Sequence, residues 1–226
     1  DSDPKDKDNK EEEKPSLPTK LGFNRFVWNM RYPGPEIKID KALEKPGYKQ
    51  LGRIAPFGGG SSGGPVAPPG NYQVQLKTGK TEITHSFEII KDPRLKTTAE
   101  DFAEQFNLWT KIRDKVSATN FAINKIRRIN HQITALLARE IFSNSAAEKK
   151  ITEVRKTAET LREKLSKIEN QLTQNQYETP SDRLRHPTML KERMEALVSV
   201  VSVSDASPPE QAHAVYENLS SKIDDQ

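Results

Sequence analysis

The sequence predicts an α+β protein, with a partial β-sandwich followed by an antiparallel helical hairpin in a four-helix bundle. Apolar residues alternate with a period of two as far as about residue 90, and from Thr97 they recur at spacings of three and four. The apolar fraction of 33% is low and the charged fraction of 30% is high. Such a composition suits an extended structure with much surface, because a single large core needs more apolar residues.

Three regions follow from these patterns. Residues 1–20 are predicted to be a disordered charged linker, because their first 14 residues hold 7 acidic and 4 basic side chains and little that could be buried. Residues 21–92 are predicted to form the β unit. Residues 98–226 are predicted to form the helical unit.

The β unit is predicted from one strand and one hairpin. The run FNRFVWN, residues 23–29, alternates like a core strand and is broken by RYPGPE. In the run at residues 71–90, Tyr72, Val74 and Leu76 share one face of a first strand, and Gly79 supplies the turn. The matching face of the second strand carries Ile83, Phe87 and Ile89.

A glycine-rich run at residues 58–64 separates the strand from the hairpin. Glycine-rich turns can cradle phosphates, but that pattern ends in Gly-Lys-Ser/Thr and opens a helix. Here Gly64 is followed by Pro65, so the run is interpreted as a flexible loop.

Three capping sequences mark helix starts. Thr98 with Asp101 and Ser145 with Glu148 both fit the capping box. Ser207-Pro-Pro-Glu210 adds proline at the first helical position. The first helix is predicted to run from about residue 99 to 143 and the second from about 146 to 173, with two shorter helices after them.

The second helix carries a narrow apolar seam at alternating spacings of three and four, which is typical of helices packed as in coiled coils. Its members are Ile151, Val154, Ala158, Leu161, Leu165, Ile168 and Leu172. We interpret the seam as intrachain core covered by the later helices, and a dimer surface is the alternative. The first helix carries a similar seam, which includes the polar residue Asn130. We interpret Asn130 as a residue that fixes the register of the helices, and not as one that binds a ligand.

The first helix begins with bulkier residues, Phe102, Phe106 and Trp109, which are out of step with the seam that starts at Ile112. We expect them to pack against the β unit, with Trp28 on the other side of the junction between the units.

No catalytic, cofactor-binding or metal-binding residues are predicted. The chain has no cysteine, which excludes disulfides and thiolate chemistry. Its four histidines lack a ligand partner at helical spacing, and the common hydrolase and EF-hand motifs are missing. No run of apolar residues is long enough for a transmembrane segment.

Basic residues are concentrated between Lys111 and Lys167, a range that holds 14 basic and 6 acidic residues. Such a stretch could bind nucleic acid or anionic lipid. Because the charges are interspersed with acids, a solvated helix surface is the favoured interpretation, and nucleic acid is not an expected partner.

Several motifs, taken in order, resemble one family. They are GFNRFVWNMRYPG, GPVAPPGNYQVQL, FEIIKDPRL, AEDFAEQFNLWTKIRDKVSATNFAINKIR and the closing RHPTMLKERMEALVSVVSVSDASPPEQAHAVYENLSSKID. This combination resembles the C-terminal region of bacterial β-propeller proteins labelled sortilin-like or BNR-repeat glycosyl hydrolases, over roughly residues 21–224. The β unit also resembles the immunoglobulin-like domain of flagellar hook-capping proteins.

The resemblance implies that the chain is the tail of a longer exported protein, in the periplasm, secreted or at the bacterial cell surface. It implies an immunoglobulin-like sandwich whose first strands, with the propeller, come from an upstream part of the same or a cleaved chain. The implied role is structural: bracing the propeller or mediating assembly, including homo-oligomers.

The same resemblance limits what can be said of catalysis. The hydrolase label belongs to propeller repeats of the form S-x-D-x-G-x-x-W, and none occurs here. An alternative is therefore that the chain supports a hydrolase whose active site lies upstream. Asn29 stands where the family usually has aspartate, and this departure affects a local turn at most.

Overall fold

The structure, a computed structural model, describes residues 21–40, 43, 63–138, 148–176, 182 and 184–226. These residues form two strands and four helices, which is the α+β organisation predicted. The strands are β1, Gly70–Thr78, and β2, Thr81–Ile89. The helices are α1, Ala99–Leu137; α2, Glu148–Leu172; α3, Leu190–Val201; and α4, Glu210–Asp224. The linker predicted at 1–20 lies outside the described residues.

The two strands form an antiparallel hairpin with the predicted turn and the predicted apolar faces. Tyr72 lies opposite Phe87, and Leu76 lies opposite Ile83. Gly79 adopts a φ of +58° in the turn, which a β-carbon would disfavour. Because side chains alternate between faces, the large apolar residues share one side of the hairpin, and the glutamines and glutamates share the other.

The strand predicted over residues 23–29 is not formed. Pairing starts only at residue 30, with an isolated antiparallel bridge between Arg31 and Val66. Around it, Tyr32 N–H donates to Pro65 O at 2.9 Å, and Ala67 N–H donates to Met30 O at 2.8 Å. The composition of residues 23–29 favours a strand, but no other described backbone runs beside them to complete the ladder.

Gly64 belongs to this pairing and is not a generic loop glycine. Its N–H donates to Tyr32 O at 2.9 Å. A β-carbon placed on Gly64 would lie 1.9 Å from the carbonyl oxygen of Pro33, so the backbones approach too closely for any side chain. The rest of the glycine-rich run, 58–62, lies outside the described residues.

Helix α1 begins with the predicted capping box. Asp101 N–H donates to Thr98 Oγ1, and Thr98 N–H donates to the Asp101 carboxylate at 2.8 Å. The second predicted box, at Ser145, and the break between α1 and α2 lie outside the described residues. The third prediction is wrong, because α4 starts at Glu210 after Pro209, while the Ser207 hydroxyl donates to Glu104 on α1.

Two apolar clusters hold the helices together, and both include α1. The N-terminal half of α1 packs against α3 and α4; its buried members are Leu108, Trp109, Ile112, Val116, Met194, Leu197, Val201, Ala212 and Leu219. The middle of α1 packs against the C-terminal end of α2; the buried members there are Ile39, Ile123, Ile126 and Leu172.

Polar contacts fix the junctions between the helices. The Glu192 carboxylate accepts hydrogen bonds from Thr173 Oγ1 and from Met189 N–H, which joins the end of α2 to the start of α3. The Gln105 side-chain amide donates to Val201 O and Ser204 O and so satisfies carbonyls at the end of α3.

Candidate interaction site

The side chains predicted to lie at the junction and in the helical seam make packing and hydrogen-bonding contacts. Within the ranges given above, no group of three or more His, Cys, Asp or Glu side chains could hold a metal ion. None of the helices described there is long and apolar enough to cross a membrane. The side chains singled out from the sequence therefore have to be judged by what they contact.

Trp28 lies against one end of the apolar hairpin face. Its ring centroid is 6.1 Å from that of Tyr72 and 6.2 Å from that of Phe87, and these two rings stack on each other at 5.8 Å. Tyr72 Oη donates to Pro68 O at 2.7 Å. Burial, and then the neighbouring Tyr32, raise the pKa of Tyr72. Trp28 thus belongs to the hairpin side of the junction.

A tight turn follows Trp28 and redirects the chain onto α1. Asn29 Oδ1 accepts from Arg31 N–H at 3.0 Å, as in an Asx turn, and Met30 adopts a left-handed φ of 55°. Trp28 Nε1–H donates to Arg31 O at 3.2 Å and closes the turn. Two side chains only three residues apart therefore contact different parts of the molecule, Trp28 the hairpin and Arg31 the helix.

The helix side of the junction is formed by two of the predicted residues. The Arg31 guanidinium lies 5.5 Å from the centroid of the Trp109 ring, within cation–π range. Tyr32 meets Phe106 edge to face at 5.0 Å between centroids. Phe102 is buried one turn earlier on α1. Arg31 and Tyr32 were not predicted as junction residues, although they lie in the quoted motif RYPG.

The far half of the hairpin face is uncovered in the described residues. Val74, Leu76 and Ile83 are 54%, 48% and 57% exposed. Phe23 and Val27 on the preceding segment are also exposed. Alternating residues of this kind are normally buried against a second layer, so the exposed face is a candidate interaction surface.

The predicted seam of α2 is buried unevenly. Leu172 is buried, whereas Ile151, Ala158, Leu165 and Ile168 are partly buried. Val154 and Leu161, at alternate seam positions, are 49% and 45% exposed. The expectation that α3 and α4 cover the seam therefore holds at its C-terminal end and not at these two residues, because the two shorter helices lie mainly along the first half of α1.

A buried ion pair joins α1 to α2, and the sequence analysis missed it. Arg127 Nε donates to Glu169 Oε1 at 2.7 Å, with both side chains about 5% exposed or less. Asn175 bridges the two by accepting from Arg127 Nη2 and donating to Glu169. The sequence does place an arginine on one of these helices and a glutamate on the other. Such charges are so common on helix surfaces that this pair could not be distinguished from exposed ones. Asn130, which was expected to set the register, is only partly buried.

A second missed feature is a polar row on α1 that holds the backbone of residues 37–40. Ser117 Oγ accepts from Ile37 N–H at 2.9 Å, and Asn120 Nδ2 donates to Ile37 O at 2.8 Å. Asn124 donates from Nδ2 to Lys38 O at 2.8 Å and accepts at Oδ1 from Asp40 N–H at 2.9 Å. Spacings of three and four place the three side chains on one stripe, which was the sequence signal.

Several side chains of the basic stretch have acidic partners. Lys115 Nζ lies 2.8 Å from the Asp224 carboxylate, and Arg113 lies 2.7 Å from that of Asp114. Together with the buried Arg127, these pairs leave less free positive charge than the residue count suggests.

Comparison of the chain with protein-family models, with curated proteins and with solved structures gave no match.

Proposed function

We propose that this chain is a non-catalytic structural and interaction region of a larger exported β-propeller protein. In this proposal the hairpin and the Trp28 segment are part of an immunoglobulin-like sandwich completed by other strands. The helices, arranged as a bundle, brace that sandwich. The observation that carries the proposal is the amphipathic hairpin, whose apolar face is exposed at Val74, Leu76 and Ile83.

The exposed surface has the chemistry of a sheet face. Its apolar residues alternate with polar ones on both strands, so a partner must approach from one side only. Trp28 already covers one end of the face and shows how an aromatic side chain packs there. A second apolar β-layer would bury the remaining half in the same manner.

The propeller and the location outside the cytoplasm are supported only by the motif resemblance over residues 21–224. The alternative in which the intact protein is a hydrolase with an upstream active site has the same support. The alternative of a basic arm for nucleic acid or lipid is less well supported, because Arg113, Lys115 and Arg127 have acidic partners.

The first experiment determines which polypeptide carries this chain in its natural source, by intact mass and peptide mapping of material captured with an antibody against α4. We expect a β-propeller to be present, either continuous with the chain or cleaved and associated. Material that contains the chain without any propeller would contradict the proposal.

The second experiment tests the face in that natural protein. We expect Leu76→Lys with Ile83→Lys to lower its stability, because both positions become buried against the second layer. Gln75→Lys with Thr84→Lys, on the polar face of the same strands, is the matched control. Equal effects from both pairs would show that the apolar face is not covered.

A further inference from the structure

The segment at residues 37–40 is held on α1 in the way that a groove holds a peptide. Four hydrogen bonds from Ser117, Asn120 and Asn124 all end on backbone atoms of the segment. Ser117 accepts, Asn120 donates, and Asn124 both donates and accepts, so the row matches the backbone of the segment in one register. Recognition through the backbone is independent of most of the segment's side chains.

One side chain of the segment enters an apolar pocket. Ile39 is 8% exposed and packs with Ile123, Ile126 and Leu172. The pocket walls come from α1 and the end of α2, and neither helix needs residues 37–40 for its own backbone hydrogen bonds. The site and the segment are therefore separate parts. The site is a polar row and a pocket on the helices, and the segment is a short peptide with one branched aliphatic anchor.

The row is itself rigidly placed. Asn120 is 5% exposed, between the two apolar clusters, and its side-chain amide is aimed at the segment. Ser117 and Asn124 flank it on the same stripe of a continuous helix. A preorganised row of this kind loses little conformational freedom when it binds a backbone.

We propose that Ser117, Asn120 and Asn124, with the Ile123–Ile126–Leu172 pocket, form a binding groove for a short peptide segment with one branched aliphatic residue. Residues 37–40 are its resident ligand within the chain. The proposal is independent of the sandwich and propeller proposed above, because it uses only contacts between residues 37–40 and the helices.

The test displaces residues 37–40 from the groove and then measures whether a peptide of the same sequence binds there. The full-length chain carrying Ile39→Asp places a carboxylate at the apolar pocket and releases the segment. A labelled, end-capped peptide of residues 34–40, GPEIKID, is then titrated by fluorescence anisotropy. We expect saturable binding, which adding Asn120→Ala and Asn124→Ala to the same chain weakens by about tenfold or more, since three of the four backbone contacts are lost.

The controls distinguish binding in the groove from non-specific binding of the peptide. Lys125→Ala changes the exposed neighbour of Asn124 and should leave the affinity within about twofold, as expected for a surface substitution. A peptide with aspartate in place of Ile39 should not bind. Binding that is insensitive to Asn120→Ala with Asn124→Ala, or no binding by a chain whose helical circular dichroism is intact, would overturn the proposal.

A second measurement covers the case in which the Ile39→Asp chain does not fold. In the unmodified chain the amides of Ile37 and Asp40 are donors to the groove. We expect their hydrogen exchange to be slow, and to become at least about tenfold faster with Asn120→Ala and Asn124→Ala but not with Lys125→Ala. Exchange at the rate of an unstructured peptide in the unmodified chain would also overturn the proposal.

Discussion

At the scale of single residues, the role of a side chain is decided by its burial and by the backbone beside it, more than by the composition of the run it belongs to. Gly64 lies in a run that reads as a flexible loop, yet it is the point where two backbones touch. Arg127 and Glu169 read as surface charges, yet they are buried together. In both cases the deciding partner is far away in the sequence, at Pro33 for the glycine and across two helices for the ion pair.

Gly64→Ala is expected to destabilise the protein by about 1–3 kcal/mol, because the new methyl group overlaps the Pro33 carbonyl and forces the backbones apart. Urea unfolding followed by tryptophan fluorescence measures the change, since Trp28 and Trp109 both lie beside this pairing. Val66→Ala, at an exposed neighbour, is the control and should cost about 0.5 kcal/mol or less. Equal costs would show that the close approach does not exist.

Arg127→Met is expected to cost about 3–5 kcal/mol, because it leaves the Glu169 carboxylate buried without its charge partner. Replacing both residues, Arg127→Met with Glu169→Leu, should recover most of that loss because no buried charge remains. Thermal or urea unfolding of the single and double variants tests this. A double variant no more stable than the single one would show that the cost does not come from an unpaired buried carboxylate.

At the scale of elements, the ends of α1 and α4 show what local sequence can decide. The capping box of α1 uses only residues 98–101, so the four-residue motif predicted it correctly. The start of α4 was misjudged because Ser207 has a better partner, Glu104, in another helix. A cap is predictable when its partners are adjacent and less so when a neighbouring element competes.

The α1 cap should make stability depend on pH. The hydrogen bond from Thr98 N–H to its carboxylate lowers the pKa of Asp101 below 3.8. The contribution is therefore fully present above pH 3.8, the unfolded value, and is lost as the pH falls through the lower folded value. Asp101→Asn should remove this part of the acid profile measured by urea unfolding at several pH values.

The matched control for that profile is Glu100→Gln, one residue earlier on the same exposed turn and outside the capping box. It should leave the difference between neutral and acid stability close to that of the unmodified chain. An Asp101→Asn profile that parallels the unmodified one below pH 3.8 would show that the cap does not titrate with folding.

At the scale of the whole molecule, α1 is the organising element. Its first half packs with α3 and α4, its middle packs with α2 and with residues 37–40, and Phe106 and Trp109 meet the turn after Trp28. The hairpin is attached through that turn and otherwise carries an exposed apolar face. Stability is therefore expected to be distributed unevenly.

Native-state hydrogen exchange should reveal this distribution. The amides of β1 and β2 should exchange at least about tenfold faster than those of α1 between residues 108 and 126, because a two-stranded hairpin with an uncovered face is marginally stable by itself. Peptide-resolved mass spectrometry measures the difference. Equal protection would mean that the hairpin and helices unfold as one cooperative unit.

The sequence alone determined those features whose cause is local or periodic. The faces and turn of the hairpin follow from alternation and a glycine, the helices follow from the change of period at Thr97, and the α1 cap follows from four adjacent residues. Phe102, Phe106 and Trp109 were singled out because these bulky side chains are out of step with the seam that starts at Ile112.

Only the tertiary structure decided which surfaces meet. It separated the seam of α2 into a buried end at Leu172 and exposed residues at Val154 and Leu161. It left residues 23–29 outside the two-stranded sheet in spite of their strand-like composition. It also brought Ile39 to α1, and it placed the Asn120 amide on the carbonyl of Ile37. The physical reason is that burial and backbone pairing depend on segments distant in the chain, whereas periodicity describes only the face that an element could bury.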